Sequence, residues 1–514
     1  MPTTLNFKRI IDKPEWRPIA PTQAVHAAGG SMAYDLRNNT DGHPLLYFLR
    51  SATAFEAYNP YSDDWSLLAS PGLAGAFGAG AGCVMMPSQG PRGTIAAGAT
   101  TTKITLTTAL PAAVGVNQLA NRGDERGFKI RIIGNTAGGS GKIEERYIVA
   151  NTAGTTPTLV LDSALTFTPA SGDGYEILSG RVFLLSSGAL AAGAFKHYDV
   201  ATNSYSGNLS NTNLPATMST DSSFIGLDEG YVPYNRTPGT GYFGVITATA
   251  SASTSITGAV STFDFAVVAN EFRNFQIRIV EDTTTPTSVG QRRNITSHTA
   301  GPSAVYTVPT WTVTPSASAK FVIENNGDRI LLWTTATTST YTYQITANTW
   351  DTSTFAARSA VHAAGSVAAH AFSIAPDSEK NSRNSHIFVF RGGAVATVDL
   401  FDIAGATTGS WSAAIAVGNA GPTFTTGTCV AHDPWTNEGR YVVINQSGTQ
   451  RFFRFDLKNR VLLPAFYLRF AQGTAVVGAR MATTIFVDEP TRVSFIVQIR
   501  ASGQETFELL VPPV

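Results

Sequence analysis

The run Gly138-Gly139-Ser140-Gly141-Lys142 has the composition of a loop that cradles phosphate with backbone N–H groups. That chemistry requires a glycine six residues before the lysine, a Ser or Thr after it for Mg²⁺, and a helix to follow. The chain offers Thr136 and Ile143 at those positions, so the run is expected to be a turn. The eight histidines (His26, His43, His197, His298, His362, His370, His386 and His432) show no metal-ligand spacing with cysteines or acidic residues. Arg122-Gly123-Asp124 spells an adhesion tripeptide and is expected in a loop. Asp35, Asp377, Asp433 and Asp488 each close a short apolar run, and Trp435 follows the third. Gathered at one opening, these residues would hold a cation or touch a ligand. Taken singly, Asp is favoured in such turns because its side chain bonds the backbone ahead of it. No Ser-His-Asp or paired-carboxylate set is apparent, so the sequence names no catalytic residue, no cofactor and no metal.

A repeated pattern of strands must position these groups. Three strand types recur in fixed order. The first is small and apolar: 29–37, 80–88, 222–231, 368–376, 425–434 and 479–488. The second is rich in β-branched and aromatic residues: 45–51, 181–187, 328–335, 385–392, 439–446 and 492–500. The third follows at 53–60, 195–200, 339–345, 395–403, 450–457 and 505–511. A fourth element opens on an aromatic: Tyr58 leads to Trp65, Tyr198 to Tyr205, Tyr343 to Trp350 and Phe401 to Trp411, while Phe455 leads only to Val461.

The sixth unit runs out of chain before its fourth strand, and Pro14-Glu15-Trp16-Arg17-Pro18 supplies a Trp and an extended segment at the other end. A linear stack would expose two sheet edges; a ring completed by the N-terminal strand removes them. The expected fold class is therefore all-β, a six-bladed β-propeller closed by N- and C-terminal strands. Trp16, Trp65, Tyr205, Trp350 and Trp411 are its expected blade anchors. Val25-His26-Ala27-Ala28-Gly29 recurs as Val361-His362-Ala363-Ala364-Gly365, so His26 and His362 are expected to make structural hydrogen bonds.

Second strands begin at 45, 181, 328, 385, 439 and 492, and the first two intervals hold about 80 to 90 residues more than a blade needs. This excess is itself duplicated. Phe128-Lys129-Ile130-Arg131-Ile132-Ile133 matches Phe275-Gln276-Ile277-Arg278-Ile279-Val280, Arg146 matches Arg293, and Ile177 matches Ile323. The expected division is a propeller over 1–90, 181–231 and 328–514, with homologous β-sandwich or small-barrel insertions over 91–180 and 232–327.

Composition narrows the function. Lys plus Arg equals Asp plus Glu at 36 each, so no overall field recruits nucleic acid or an acidic membrane. Charged residues are only 14% of the 514, which suits a protein buried in an assembly. The two cysteines, Cys83 and Cys429, exclude a disulfide framework and are expected as buried thiols. The N-terminus lacks a signal-peptide core, and the uncharged run 66–91 is too rich in Gly and Pro for stable membrane insertion.

Tyr58-Asn59-Pro60 with Trp65 resembles kelch-type propellers, although the Gly-Gly pair usual after the second strand stands only at Gly392-Gly393. The insertions, FKIRII…GGSGKIEERYIVANT…TLVLDSALTFTP, resemble β-modules inserted in structural proteins of tailed bacteriophages. SMAYDLRNNTDGHPLLY and the Thr/Ala/Gly bias are similar to the same group. The resemblance implies a non-enzymatic virion protein of the phage tail, foremost a nozzle or tail-tube-end subunit in a homo-oligomeric ring. Its implied partners are other virion proteins, on the tail adaptor or portal side and among the fibres. Other readings stay open. One is a receptor- or glycan-binding tail module that meets host-surface glycan through residues such as Asp433 and Trp435. Another is a capsid decoration or head-fibre protein. An enzyme, either a glycan hydrolase or a kelch-type copper oxidase, ranks third in class.

Overall fold

The computed structural model describes residues 16–510 apart from 27–28, 35–44, 61, 121–126, 219–221, 229–242, 249–253, 261–267, 336, 372–384, 418–422, 434–439, 447–448, 450, 465, 468–479, 489–490 and 500–505. Among the described residues there is no α-helix; strands are joined by turns and short 3-10 segments.

Six antiparallel meanders carry the chain. Sheet one is Ser31–Tyr34, Leu46–Leu49, Phe55–Asn59 and Asp64–Leu67. Sheet two is Gly82–Met86, Arg181–Leu185, Phe195–Asp199 and Ser204–Tyr205. Sheet three is Ser223–Gly226, Arg329–Trp333, Tyr341–Gln344 and Thr349–Asp351. Sheet four is Val367–Ala371, His386–Phe390, Thr397–Asp402 and Ser410–Trp411, with Ile415–Ala416 added along the third strand. Sheet five is Cys429–Asp433, Tyr441–Asn445, Arg451–Asp456 and Val461–Leu462. Its fourth strand carries no aromatic and pairs Leu462, one residue beyond the expected Val461, with Phe455, and Phe466–Tyr467 extends the same edge. Sheet six is Arg480–Asp488, Thr491–Ile499 and Thr506–Leu510, and its outer strand is Trp16–Ile19, which pairs Trp16 with Leu509 and Ile19 with Thr506.

Second strands such as Leu46–Leu49 and Tyr441–Asn445 are buried at every position. Strict alternation is lost there because both faces of each sheet are covered by neighbouring sheets, so both sets of side chains must be apolar. Tyr47 and Leu49 pack with Val182 and Leu184 between sheets one and two; Phe183 and Phe195 with Leu332 and Trp350 between two and three. Leu331 and Trp333 pack with Ile387 and Phe401 between three and four, and Phe388 with Val442 and Phe455 between four and five. Gln498 of sheet six donates to Asn445 of sheet five at 3.0 Å, and its neighbours Val497 and Ile499 pack with Phe48 and Trp65 of sheet one. The arrangement is propeller-like.

Second-to-third hairpins and sheet-to-sheet connectors share one rim and are knitted by backbone bonds. Leu73 donates to Ala52 O at 2.8 Å, Gly188 to Ala76 O at 3.0 Å, Arg358 to Thr338 O at 2.7 Å and Ala394 to Phe424 O at 2.8 Å. First-to-second connections, including both insertions, leave the other ends of the strands.

The insertions are two copies of one closed sheet. The first runs Arg92–Thr94, Gly174–Ile177, Lys129–Ile133, Ile143–Asn151, Thr158–Leu161 and Lys103–Thr105, and an Ile95–Leu106 bridge joins its two ends. The second runs Arg292–Asn294, Gln276–Glu281, Lys320–Glu324, Gly244–Ala248, Ser255–Val260, Ser303–Thr307 and Ser297–His298. Here the strand matching Ile143–Asn151 is broken between Asn294 and Ser297, and the former bridge is a full ladder. The registers coincide: Ile130 faces Arg146 and Ile177, as Ile277 faces Arg293 and Ile323. Each barrel has its own core, around Leu119, Ile132 and Tyr175 in one and Phe243, Phe272 and Trp311 in the other.

Candidate functional site

Three constructions hold polar groups at defined places. The first is a clamp at the outer edge of successive sheets. The turn before the fourth strand needs one residue with positive φ, supplied by Asp63, Asn203 and Asn348 at 51°, 48° and 52°. Short Asx side chains tolerate that backbone and can bond locally. Each accepts the hydroxyl of the tyrosine five residues before it, from Tyr58, Tyr198 and Tyr343 at 2.9, 2.9 and 2.8 Å. The same oxygen accepts the backbone N–H of a residue leaving the preceding sheet: Ala20 at 2.8 Å, Ala69 at 3.5 Å and Ser210 at 2.8 Å. The carbonyl of that same residue accepts from Trp65 Nε1 at 2.8 Å, Tyr205 Oη at 2.8 Å and Trp350 Nε1 at 3.0 Å. In sheet four, Ala356 gives its N–H to Thr408 O at 2.8 Å and its carbonyl takes Trp411 Nε1 at 3.0 Å. Trp65 and Trp350 are buried, and Tyr205 and Trp411 half-buried. Burial pushes the Tyr205 and Tyr343 hydroxyls above their ordinary range, so both stay protonated as donors. For Trp16 the structure describes only the backbone, in the ladder to Leu509. The spacing of seven between aromatics is legible in the sequence, and the Asx residue between them is a second signal written there.

The second construction is a cavity of about 210 Å³ among the first strands, lined from all six sheets by residues that include Tyr34, Cys83, Ser223, His370, Cys429 and Met481. Among the described residues, no Asp, Glu, Lys or Arg lines it. Both cysteines are buried thiols outside any disulfide, and among the described residues no His/Cys/Asp/Glu group is arranged to hold a metal. Asp35, Asp377 and Trp435, expected at a channel mouth, lie outside the described residues, as does 122–124. Asp433 and Asp488 end their first strands as expected, with only their backbones described.

Behind this wall, Ser366, His362 and Asp399 stand in line, an alignment the sequence did not reveal. Ser366 Oγ lies 3.3 Å from His362 Nδ1, and His362 Nε2 lies 2.8 Å from Asp399 Oδ2. Arg391 donates to both oxygens of Asp399 at 2.8 Å. Burial holds the His362 imidazole below its usual range despite Asp399. In the repeat copy, Arg50 pairs with Glu56 at 2.5 Å, Glu56 accepts the backbone N–H of Gln23 at 3.3 Å, and Gly30 replaces Ser366. The shared part is thus an Arg–carboxylate pair whose carboxylate also accepts from the connector, through Gln23 N–H in one copy and His362 in the other.

The third construction joins the barrels. Arg131 bonds Glu145 and Glu176, both at 2.7 Å; Glu176 bonds Arg292 at 2.6 Å; Arg292 bonds Glu324 at 2.9 Å; Glu324 bonds Arg278 at 3.1 Å. Burial alone would raise the Glu176 and Glu324 carboxyls, but the surrounding guanidiniums outweigh it and hold both well below the usual range. Arg131 and Arg278 are equivalent in the two copies, so matching faces meet. Ile133 enters the second barrel's core, and Asp282 N–H donates to Gly141 O at 2.7 Å. The glycine-rich run 138–142 is the turn that makes this contact, with Gly141 at φ 69°. The block is also fixed below. Ser88 N–H donates to Asp228 at 2.6 Å, Gln118 to Ala201 O at 3.3 Å, and Asn274 to Ile403 O at 2.7 Å. Among the described residues, no helix is long and apolar enough to cross a membrane.

The sequence matches no protein-family model and no curated protein. Among solved structures, the chain is similar to YjhT over 96% of its own length and 97% of that chain, at 9% identity and a TM-score of 0.34. A glutaminyl cyclase of Myxococcus xanthus matches 43% of this chain over 88% of its own, at 9% identity and a TM-score of 0.23. A Bacteroides thetaiotaomicron protein of unknown function matches 57% of this chain over 72% of its own, at 9% identity and a TM-score of 0.21.

Proposed function

We propose that the chain is a structural subunit of a tailed-phage virion, acting at the tail nozzle or tail-tube end. In this reading its six sheets close as a six-bladed propeller and several copies assemble in a symmetric ring. The role is mechanical rather than catalytic. Pairing of the N-terminal strand gives the sixth sheet a short outer strand like those of the other sheets, and the low charge suits broad polar and apolar packing between copies.

The observation that carries the reading is the two-barrel block. Two copies of one module, locked together by a buried ionic string and fixed to the turns of two sheets, form a stiff projection on one sector of one rim. A projection of that kind gives each subunit a defined lateral contact, and heterologous contacts that close generate rings. The purified full chain, examined by native mass spectrometry and electron microscopy, is expected to form a closed ring, and antibody against the barrels should label the tail end of virions. A stable monomer that binds host polysaccharide and is absent from the tail end would overturn the reading.

A further inference from the structure

Arg358 presents a problem of charge that the rest of the fold does not solve. It sits on the connector into sheet four, four residues before His362, and is 3% exposed. Its Nη2 donates to Thr334 O at 2.7 Å and also to Thr337 O. Among the described residues, its Nε–H and Nη1–H have no acceptor. The hydroxyls of Thr334 and Thr337, on the residues whose carbonyls it grips, are likewise buried without a partner.

The nearby carboxylate cannot serve it. Asp399 already takes two bonds from Arg391 and one from His362. Two guanidiniums therefore share one carboxylate beside an imidazole that burial keeps neutral, and the cluster carries a net positive charge. Burial lowers the Arg358 guanidinium to about 10, which still leaves it charged near neutral pH. A buried cation without a hydrogen-bonded counter-charge is destabilising, and every donor left over here suits an anion. In the repeat copy the same position, three residues before the Val-His-Ala-Ala-Gly run, is Thr22, which bonds Ala24 O at 3.1 Å.

We propose that Arg358, with the hydroxyls of Thr334 and Thr337, binds one small monovalent anion of chloride or carboxylate type. The anion supplies the counter-charge that the cluster lacks. The site lies on the rim opposite the barrels and is independent of the virion reading.

The test uses the full chain with chloride or acetate exchanged for gluconate at constant ionic strength. Chloride-NMR line broadening and the thermal midpoint are the two readouts. Wild type should broaden the chloride signal and melt higher as chloride rises, and acetate should compete if the site accepts a carboxylate. Arg358→Met should abolish both effects. Thr337→Val, which keeps the guanidinium, should weaken binding about ten-fold through one lost hydrogen bond and serves if the first variant fails to fold. Absence of chloride broadening in wild type, or broadening unchanged in Thr337→Val and in any folded Arg358→Met, would overturn the site.

Discussion

At the scale of single residues, the clamp separates what a large aromatic contributes by packing from what it contributes by its N–H. Trp350 fills the space between sheets two and three and also holds Ser210 O. Trp350→Phe keeps a ring in the core and removes the donor, so it is expected to cost about 1 kcal/mol. Trp350→Ala also opens a cavity and should cost about 3–5 kcal/mol. Chemical denaturation of the two variants checks the ordering, and equal losses would mean that the hydrogen bond is the whole contribution. This level was half legible in the sequence. Aromatic spacing shows because large side chains are rare and conspicuous. Asp63, Asn203 and Asn348 do not stand out because Asx residues are common in turns, and only the fold reveals that their oxygens also reach a strand exit of the preceding sheet. The Ser366–His362–Asp399 line was illegible for a related reason: Asp399 lies a strand away, and its register with the connector depends on pairing.

At the scale of elements, the barrel duplication was open to reading down to the register, because alternating Ile and Arg positions fix which face is buried. Their mutual contact was not, since a charged residue on a strand looks the same whether it faces water or a partner. Glu176, 7% exposed, bonds Arg131 in its own barrel and Arg292 in the other. Glu176→Gln leaves two buried guanidiniums short of a counter-charge and is expected to cost about 3–5 kcal/mol, read as faster hydrogen exchange in Lys129–Ile133 and Arg292–Asn294 while sheets four and five are unaffected. The pH dependence has a definite sign. The folded pKa values of Glu176 and Glu324 lie below their ordinary 4.5, so the stabilisation is full above that pH and is lost as pH falls beneath it. Wild-type barrels should therefore loosen in acid below about pH 4.5, and the Glu176→Gln variant should show a flatter response over the same range. An unchanged slope would place the acid sensitivity elsewhere.

At the scale of the whole molecule, the N-terminal strand bears more weight than its length suggests. Without it, Thr506–Leu510 would present a row of unpaired backbone N–H and C=O groups, the kind of edge that recruits other chains. It also delivers Ala20 to the first clamp, where Asp63 and Trp65 hold both of its backbone groups. Deletion of residues 1–19 should thus weaken sheet six and the contact between sheets six and one together. The expected outcome is a lowered thermal midpoint, aggregation through the opened edge, and loss of any ring. A synthetic peptide spanning 14–20 should restore solubility by adding back the missing strand, since its backbone bonds supply the pairing and its alternate side chains the register. If the deletion instead leaves the midpoint, solubility and oligomeric state unchanged, the ends of the chain do not close the ring and the six-bladed reading fails, because a stack of meanders needs no strand from its far terminus.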